Sequence, residues 1–341
     1  MTNFPQLLNR LLERNSLEHA EMLTLMHAVM SGELTPAQIA AILIALRAKG
    51  ETMTEIAAAA QVMRSLSTKV PLDDLPDLVD TCGTGGDGTH TFNISTASAF
   101  VAAAAGVKVA KHGGRSVSST SGSADVLESV GINIHLTPEQ VGQCVRQTGI
   151  GFMFAPNHHS AMKYAAPVRK ELGVQTLFNI LGPLTNPTGA RQQVIGVYHP
   201  SLTSRIAYAL KQLGSRHALV VHGADGLDEL SICGESYVAE LKSDHVLEYR
   251  VTPEQFGLQR SDLASLQVNG IEEAKQLFRA ALTNEHRAAS DIVALNAGAA
   301  IYVSGIADHL AEGVHLAKHQ IESGAAWEKL EQLTQLSRDF A

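Results

Sequence analysis

Short apolar runs alternate with helical stretches through the middle of the chain, and this alternation constrains the fold more than any other feature. After Pro71 and Pro76, strand-like segments rich in β-branched residues are separated by segments with helical patterning. Such alternation predicts an α/β unit in which a largely parallel sheet carries helices on its faces. The strand-like runs are LVDTC, VKVAK, INIH, GFMF, QQVIGVY and HALVVHG, and the helical stretches include STASAFVAAAA, PEQVGQCVRQT and SLTSRIAYALKQL.

The chain before Pro71 has the pattern of consecutive helices. Capping residues and glycines stand at the spacing expected for helix starts and ends. The third segment, AQIAAILIALRAK, is apolar almost all round, which predicts burial in the core or against a second subunit. The predicted starts are Pro5, Ser16, Thr35-Pro36 and Thr52 or Thr54, and the predicted stops are Gly32 and Gly50.

We therefore expect an α/β protein with a small all-helical domain and a larger α/β domain around a mostly parallel central sheet. The helical domain is predicted at 1–70. It is joined by about 162–187, because this region is strongly helical without an intervening strand. The α/β catalytic domain is predicted at 71–161 and 188–341, and its chain is helical again from about Ile271.

Composition disfavours several classes of function. The chain has 341 residues and a formal net charge of −8, whereas nucleic-acid and acidic-membrane binders carry basic surfaces. Its three cysteines are far apart and odd in number, which favours a reducing compartment over a disulfide framework. The first residues are amphipathic and lack the apolar core of a signal peptide. We expect a cytoplasmic protein that binds neither nucleic acid nor membrane.

A glycine-rich loop at 83–88, GTGGDG, follows the first predicted strand. Its G-x-G-x-x-G spacing is a weak dinucleotide signal here, because the next strand ends in Lys111-His112 where a Rossmann unit places an acid. A Walker loop is excluded, since Thr89-His90 follow where Lys-Ser/Thr is needed. Asp87 would repel a bare phosphate, so the loop suits a ligand that brings Mg²⁺ or a cationic centre.

A second polar loop, KHGGRSVSSTSGS, follows the next strand. It combines cations, glycines and hydroxyls, which suits an anion. Between the two loops, Asn93-Ile94-Ser95-Thr96 precedes a helix, where free N–H groups also favour anions, although these side chains could be simple caps. Because ligands bind at the carboxyl ends of strands in open α/β sheets, paired loops of this kind predict a ligand with two separated anionic groups.

Seven segments occur together in one order, namely GTGGD, FNIST, KHG-x-RSVSS, GFMFAPNHH, AMKYAAPVRKELG, FNILGPLTNP and DGLDE. With this set the chain resembles the anthranilate phosphoribosyltransferase family of tryptophan biosynthesis over nearly its whole length. The resemblance implies a fold like that of nucleoside phosphorylases, a homodimer through the helical domain, and Mg²⁺ as cofactor. It also implies transfer of the phosphoribosyl group of phosphoribosyl pyrophosphate (PRPP) to the amine of anthranilate, with release of diphosphate.

Site residues follow from the resemblance, position by position. The implied magnesium contacts are Ser95, Asp228 and Glu229, whose oxygens suit a hard cation. The implied anthranilate contacts are Gly83, His112, Gly114, His158 and Arg169. The implied PRPP contacts are Gly83, Gly86, Asp87, Thr91, Asn93, Ser95, Thr96, Lys111, His112, Gly113, Gly114, Arg115, Ser116, Val117, Ser118, Ser119 and Ser123.

The chain departs from the family at Gly114, where the family commonly has an Asn that contacts anthranilate. We expect weaker or differently organised anthranilate binding at this position. His159 receives no role, since it could equally be a capping or packing residue.

Two alternatives share the fold. A pyrimidine nucleoside phosphorylase would bind free phosphate and a nucleoside, and it has a different second loop. A non-enzymatic, nucleic-acid-binding relative would show a basic face and eroded magnesium or lysine positions. The paired loops and the DGLDE segment favour PRPP with Mg²⁺ over the first, and the net charge of −8 disfavours the second.

Overall fold

The computed structural model describes residues 3–115 and 121–340. Across these residues the strands form one seven-stranded sheet in the order β3-β2-β1-β4-β5-β6-β7. The first five strands of that order run parallel, and β5-β6-β7 pair antiparallel. The strands are β1 Leu78–Gly83, β2 Lys108–Gly113, β3 Ile150–Phe154, β4 Gln192–Gly196, β5 His217–Gly223, β6 Ser236–Lys242 and β7 His245–Val251.

The helices surround this sheet and precede it in the chain. In chain order they are α1 Phe4–Leu12, α2 His19–Ser31, α3 Pro36–Lys49, α4 Met53–Leu66, α5 Ile94–Ala104, α6 Ser123–Ser129, α7 Pro138–Thr148, α8 Ala155–His158, α9 Ala166–Leu172, α10 Leu177–Leu181, α11 Leu202–Gln212, α12 Ile271–Leu282, α13 Arg287–Ser304, α14 Leu310–Glu322 and α15 Ala325–Asp339. Short 3₁₀ helices lie at Ser160–Tyr164, Gly182–Leu184, Pro253–Phe256 and Leu263–Leu266. The α/β class and the mostly parallel sheet are confirmed.

Local sequence explains most helix starts. The Thr35 and Thr52 hydroxyls accept hydrogen bonds from the backbone N–H groups of Gln38 and Glu55, which begins α3 and α4 as predicted. The second helix begins later than Ser16, the predicted cap. Its N-cap is Glu18, whose backbone N–H donates to the Glu21 carboxylate at 2.8 Å.

Two strand assignments differ from the prediction. The INIH run at 132–135 is not a strand, although Ile132 and Ile134 are buried. Its backbone is satisfied elsewhere, because the Ile132 N–H donates to the Leu127 carbonyl and the Asn133 N–H donates to the Ser337 hydroxyl. The antiparallel hairpin β6-β7 was not predicted.

The hydrophobic core has two parts, which lie on opposite faces of β4–β6. One part joins the sheet to α5–α7 and α12–α15. The other contains α1–α4, residues 165–184 and α11, together with the opposite face of β4–β6. In β4–β6 the residues therefore alternate between the two parts, as a pleated sheet buried on both faces requires, whereas the buried hydrophobic residues of β1–β3 all belong to the first part. The predicted return of the 162–187 region to the helical layer agrees with this packing, while the domain boundaries stay a prediction.

None of the helices in the described ranges combines the length and apolarity needed to cross a membrane. Cys82, Cys144 and Cys233 are free thiols.

Candidate active site

A cleft of about 390 Å³ opens at the carboxyl ends of the parallel strands. The strand order reverses between β1 and β4, so the loops after these strands diverge and leave a crevice, the usual place for a ligand in an open α/β sheet. The cleft is lined by Cys82, Gly83, Thr84, Gly85, Gly86, Asp87, His90, Thr91, Phe92, Asn93, Ile94, Ser95, Lys111, His112, Gly113, Gly114, Arg115, Ser121, Gly122, Ser123, Ala155, Arg169, Phe178, Asn179, Gly182, Pro183, Asp228 and Glu229.

Glycines at two strand ends allow the Asp228 loop to approach the sheet. A Cβ at Gly83 would lie 2.4 Å from the Asp228 Oδ2 atom, and one at Gly196 would lie 1.4 Å from the Asp228 carbonyl oxygen. The same carboxylate accepts a hydrogen bond of 2.8 Å from the Gly85 backbone N–H. This hydrogen bond and the close approach hold the glycine-rich loop against the DGLDE segment, although the two are far apart in the sequence.

Three carboxylates gather where these loops meet. Burial raises the pKa of Asp228 well above its ordinary value, and repulsion from Asp87 and Glu229 adds to the shift. Burial also raises the pKa of Glu229 to about 7, although Lys111 opposes the shift. The carboxylates of this cluster repel one another, and a bound cation would reduce that repulsion.

Lys111 is buried at the end of β2 and faces this cluster. Its ammonium group donates hydrogen bonds to the Thr81 carbonyl and, at 3.4 Å, to the Ser95 hydroxyl. The Ser95 backbone N–H in turn donates to the Glu229 Oε1 atom at 3.1 Å. The start of α5 therefore links the lysine to the acidic pair.

A further carboxylate, that of Asp80, is buried near Lys111. Asp80 accepts hydrogen bonds from the Asn186 Nδ2 atom at 2.7 Å and from the His112 backbone N–H at 3.1 Å. Burial raises the pKa of Asp80 to about 6, and the nearby Lys111 partly offsets this. The sequence analysis assigned no role to Asp80 in the LVDTC strand or to Asn186 in the FNILGPLTNP segment, because neither stands in a pattern of chemistry-bearing side chains.

Asn93 connects the two polar loops and does not cap α5. Its side chain exchanges two hydrogen bonds of 3.1 Å with Ser121, one to the carbonyl and one from the hydroxyl. Arg115 forms ion pairs with Asp125 at 2.8 Å and Glu128 at 2.5 Å on α6. Both contacts anchor the second loop to its surroundings.

The other wall of the cleft comes from the helical layer. The Arg169 guanidinium lies 5.4 Å from the centre of the Phe178 ring and has no hydrogen bond or ion pair within residues 3–115 and 121–340. Burial lowers its pKa. An unpaired, partly buried guanidinium at a cleft suits a planar anion such as a carboxylate.

Two buried histidines, His112 and His159, lie next to each other. His112 is buried, and its ring contacts the backbone of Gly182. Its ring meets that of His159 with centroids 5.1 Å apart. Burial lowers the pKa of His112 well below its ordinary value and that of His159 to about 4, so both rings are neutral at pH 7.

The structure gathers most of the predicted site residues at this cleft. Thr96 and His158 do not line it. The Thr96 hydroxyl is buried without a partner in the described part of the chain, and the His158 Nδ1 atom bonds to the Thr68 carbonyl at 2.9 Å. Ser116, Val117, Ser118 and Ser119 lie outside the described residues. Those that line the cleft are Gly83, Gly86, Asp87, Thr91, Asn93, Ser95, Lys111, His112, Gly113, Gly114, Arg115, Ser123, Arg169, Asp228 and Glu229.

Several lining residues received no predicted role. Phe178, Asn179, Gly182 and Pro183 come from FNILGP, a segment noted for its resemblance to the family but without a pattern of chemistry-bearing side chains. Their contribution is the shape of the wall opposite the sheet. A larger surface depression of about 610 Å³ near Cys233 and His286 contains none of the predicted residues.

Comparisons with known proteins identify the family. The helical bundle domain of a glycosyl transferase family matches residues 5–67, and the α/β domain of that family matches residues 75–327. The anthranilate phosphoribosyltransferase of Chromobacterium violaceum is 60% identical over 331 residues, which cover 97% of each chain. The chain belongs to the anthranilate phosphoribosyltransferase family. The predicted resemblance and the enzyme class, a pentosyltransferase, are thus confirmed.

Solved structures of this family share the whole architecture. The anthranilate phosphoribosyltransferase of Thermus thermophilus has a TM-score of 0.91 at 44% identity, covering 97% of this chain and 99% of that one. The Saccharomyces cerevisiae anthranilate phosphoribosyltransferase in complex with PRPP and Mg gives 0.82 at 28% identity, covering 94% and 92%. The same yeast protein in complex with 4-fluoroanthranilate gives 0.86 at 26% identity, covering 98% of each chain.

Proposed function

We propose that the chain transfers the phosphoribosyl group of PRPP to anthranilate, giving N-(5-phosphoribosyl)anthranilate and diphosphate in tryptophan biosynthesis. One observation carries this proposal. A single cleft joins a phosphate-type wall from the sheet, with Lys111 and the glycine-rich loop, to a carboxylate-type wall from the helical layer, with Arg169. The reaction needs both walls, because one substrate is a polyphosphate and the other an aromatic carboxylate.

In the proposed reaction the bond from the ribose C1 to the diphosphate oxygen breaks, and the diphosphate leaves with the electron pair. The anthranilate nitrogen forms its bond to C1 from the opposite face and then releases a proton to water. An aromatic amine is neutral at pH 7, so its attack needs no strong base. The main demand is to stabilise the negative charge that develops on the diphosphate, for which Lys111 and the backbone N–H groups of the glycine-rich loop are suited.

The acidic cluster fits Mg²⁺. Among the described residues, no three His, Cys, Asp or Glu side chains are placed to hold a metal ion by themselves. Ser95, Asp228 and Glu229 offer hard oxygen donors. Burial, together with repulsion from Asp87, raises the pKa values of the Asp228 and Glu229 carboxyls, and a bound cation would favour their ionised forms. Mg²⁺ commonly combines a few protein oxygens with phosphate and water ligands, so these residues would hold it together with the substrate. When bound, it neutralises charge on the diphosphate.

We place anthranilate against the helical wall. The planar Arg169 guanidinium can grip its carboxylate with two hydrogen bonds, while Phe178 holds the guanidinium from one face. His112 lines the cleft beside this wall. The His159 ring contacts that of His112 from outside the cleft, and the His158 ring is bonded to Thr68.

We also propose a homodimer formed through the helical layer, in the cytoplasm. Large apolar side chains remain exposed there, including Leu12 at 64%, Ile44 at 40% and Leu66 at 40%. Burying such side chains against a second copy is favourable. Three free thiols agree with a reducing compartment.

The test follows anthranilate fluorescence and diphosphate release with Mg²⁺ and PRPP. We expect wild-type turnover, and loss of Mg²⁺-dependent turnover in Asp228→Ala/Glu229→Ala. The control is Glu272→Ala/Glu273→Ala, which removes the same two charges from exposed positions on α12 and should keep activity. Full activity in the first double variant would remove the proposed metal role.

The same preparation separates the alternatives. Phosphorolysis of thymidine or uridine, without anthranilate turnover, would replace our proposal with a nucleoside phosphorylase. Tight DNA binding at physiological salt, also without turnover, would indicate a nucleic-acid-binding protein.

A further inference from the structure

Asn296 is a buried polar residue in the middle of α13, a helix whose other central residues are almost all apolar. It is 2% exposed. An amide in such surroundings is costly unless its polar atoms are bonded. Its position, 66 residues from Leu230 in sequence, gives no hint of a connection to the cleft.

The Asn296 side chain bonds to the backbone of Leu230, the residue that follows Glu229. Its Oδ1 atom accepts from the Leu230 N–H at 2.9 Å, and its Nδ2 atom donates to the Leu230 carbonyl at 2.9 Å. The second amide hydrogen goes to the Ile292 carbonyl, one turn back in α13, also at 2.9 Å. One side chain thus fixes both polar backbone groups of Leu230 at a set distance from the helix.

The same helix also holds α5, which carries Ser95. The Ser98 hydroxyl, one turn after Ser95, shares its single hydrogen between the Ile94 carbonyl at 2.9 Å and the Val293 carbonyl of α13 at 3.3 Å. Residues 293–296 of α13 are therefore a common support for Ser95 on one side and for Asp228-Glu229 on the other. The separation between these oxygen donors depends on both connections.

We infer that Asn296 is a positioning residue, which acts through Leu230 to set Asp228 and Glu229 against Ser95 for binding Mg²⁺ with PRPP. This inference rests on the proposed function. Partners of this kind, one layer behind the ligands, commonly change metal affinity or activity by roughly 10–100-fold when they are lost.

The main variant is Asn296→Leu, which keeps the branched side-chain skeleton and removes all three hydrogen bonds. The second is Asn296→Asp, which retains an acceptor for the Leu230 N–H and serves where the leucine variant does not fold. The matched control is Ser290→Ala on the same helix. The Ser290 hydroxyl is buried and bonds to the Ala281 carbonyl of α12, away from the cleft.

Two measurements are needed. Calorimetric titration of Mg²⁺ in the presence of PRPP should show roughly tenfold weaker binding in the Asn296 variants and none of this loss in Ser290→Ala. The KM for PRPP should rise with it, while the KM for anthranilate stays constant. Equal Mg²⁺ binding in all variants, with lowered melting temperatures alone, would overturn the inference and leave Asn296 a stabilising residue only.

Hydrogen exchange of the segment 225–231 separates this inference from the proposed function. We expect about tenfold faster exchange at Leu230 in Asn296→Leu, the equivalent of losing one buried hydrogen bond. If the wild type shows no anthranilate turnover but exchange accelerates as expected, the function fails and the positioning stands. Unchanged exchange in this segment would overturn the positioning whatever the activity.

Discussion

At the scale of single residues, the cleft depends on where side chains are missing. Gly83 and Gly196 leave room for the Asp228 loop, and neither could gain a Cβ without a clash. Gly114 is different, since a Cβ built there meets no atom of the described residues within 4 Å, and its φ lies outside the left-handed region. Within residues 3–115 and 121–340, no packing constraint requires a glycine at this position.

We predict that Gly114→Asn lowers the KM for anthranilate. The new side chain fits into open space at the cleft and can donate a hydrogen bond to the anthranilate carboxylate. A hydrogen bond to a charged group contributes about 1.5–3 kcal/mol, so a decrease in KM of about tenfold or more is expected. Steady-state kinetics at saturating PRPP measure it, with Gly114→Ala as the control for added volume alone. A KM that is unchanged or higher contradicts the idea.

At the scale of elements, the sequence predicted what depends on local pattern. The parallel strands and α5, α7 and α11 follow from β-branched runs, helical periodicity and capping residues. The hairpin β6-β7 was missed because its turn, Ser243-Asp244, contains no glycine, although both residues have positive φ angles of 50° and 65°. Alternating polarity in SYVAELK and HVLEYRV was the available signal, and a two-residue turn fits it.

The site shows the same division. Residues of polar motifs such as Lys111 and Asp228 were predicted to be functional, and they line the cleft. The residues that position these side chains were not predicted. Asp80, Asn186 and Asn296 act through hydrogen bonds that join residues 66 to 106 positions apart in the sequence. Such contacts depend on how the helices and strands pack, which local patterns do not encode.

The four N-terminal helices are joined by a buried charge. Glu55 is fully buried and accepts hydrogen bonds from the Lys49 ammonium at 2.8 Å, the Leu17 N–H at 2.9 Å and the Thr52 N–H at 2.8 Å. One carboxylate thereby ties the start of α4 to the end of α3 and to the connection between α1 and α2.

We predict that Glu55→Gln lowers the free energy of unfolding by about 3–5 kcal/mol, because it leaves the buried Lys49 ammonium without its anion. Urea denaturation measures the change. The control is Glu235→Gln, which breaks an exposed ion pair with Arg250 and should cost at most about 1 kcal/mol. Similar losses of unfolding free energy in the two variants would contradict the prediction that the buried ion pair contributes more to stability than the exposed one.

At the scale of the whole molecule, the acidic cluster makes stability depend on pH. The folded-state pKa of Glu229 is about 7, above its ordinary value of 4.5, so the folded protein holds a proton that the unfolded chain releases. Stability from this group is therefore complete below pH 4.5 and is lost as the pH rises through 7. The groups that face it are Asp87, Asp228 and Lys111.

We predict that Glu229→Gln, without divalent cations, is more stable than the wild type at pH 8 by on the order of 2–3 kcal/mol, and equal to it near pH 4.5. Comparing the variant with the wild type cancels titrating groups that do not interact with Glu229, including His112 and His159, whose pKa values are lowered by burial. Asp228 does not cancel, because Glu229 contributes to its raised pKa. Thermal unfolding across this pH range is the measurement. A difference that does not change with pH would contradict the assignment.

The helical layer is built from chain segments that are far apart in the sequence, and this affects how the chain folds during its synthesis. Helices α1–α4 end at Leu66, but their core is completed by residues 165–184 and by α11, which follow about a hundred positions later or more. At roughly 5–20 residues per second, a ribosome needs on the order of ten seconds to add that stretch. During this interval the nascent helices expose an apolar face that is covered in the finished protein, so the N-terminal segment is the part of the newborn chain most in need of a chaperone.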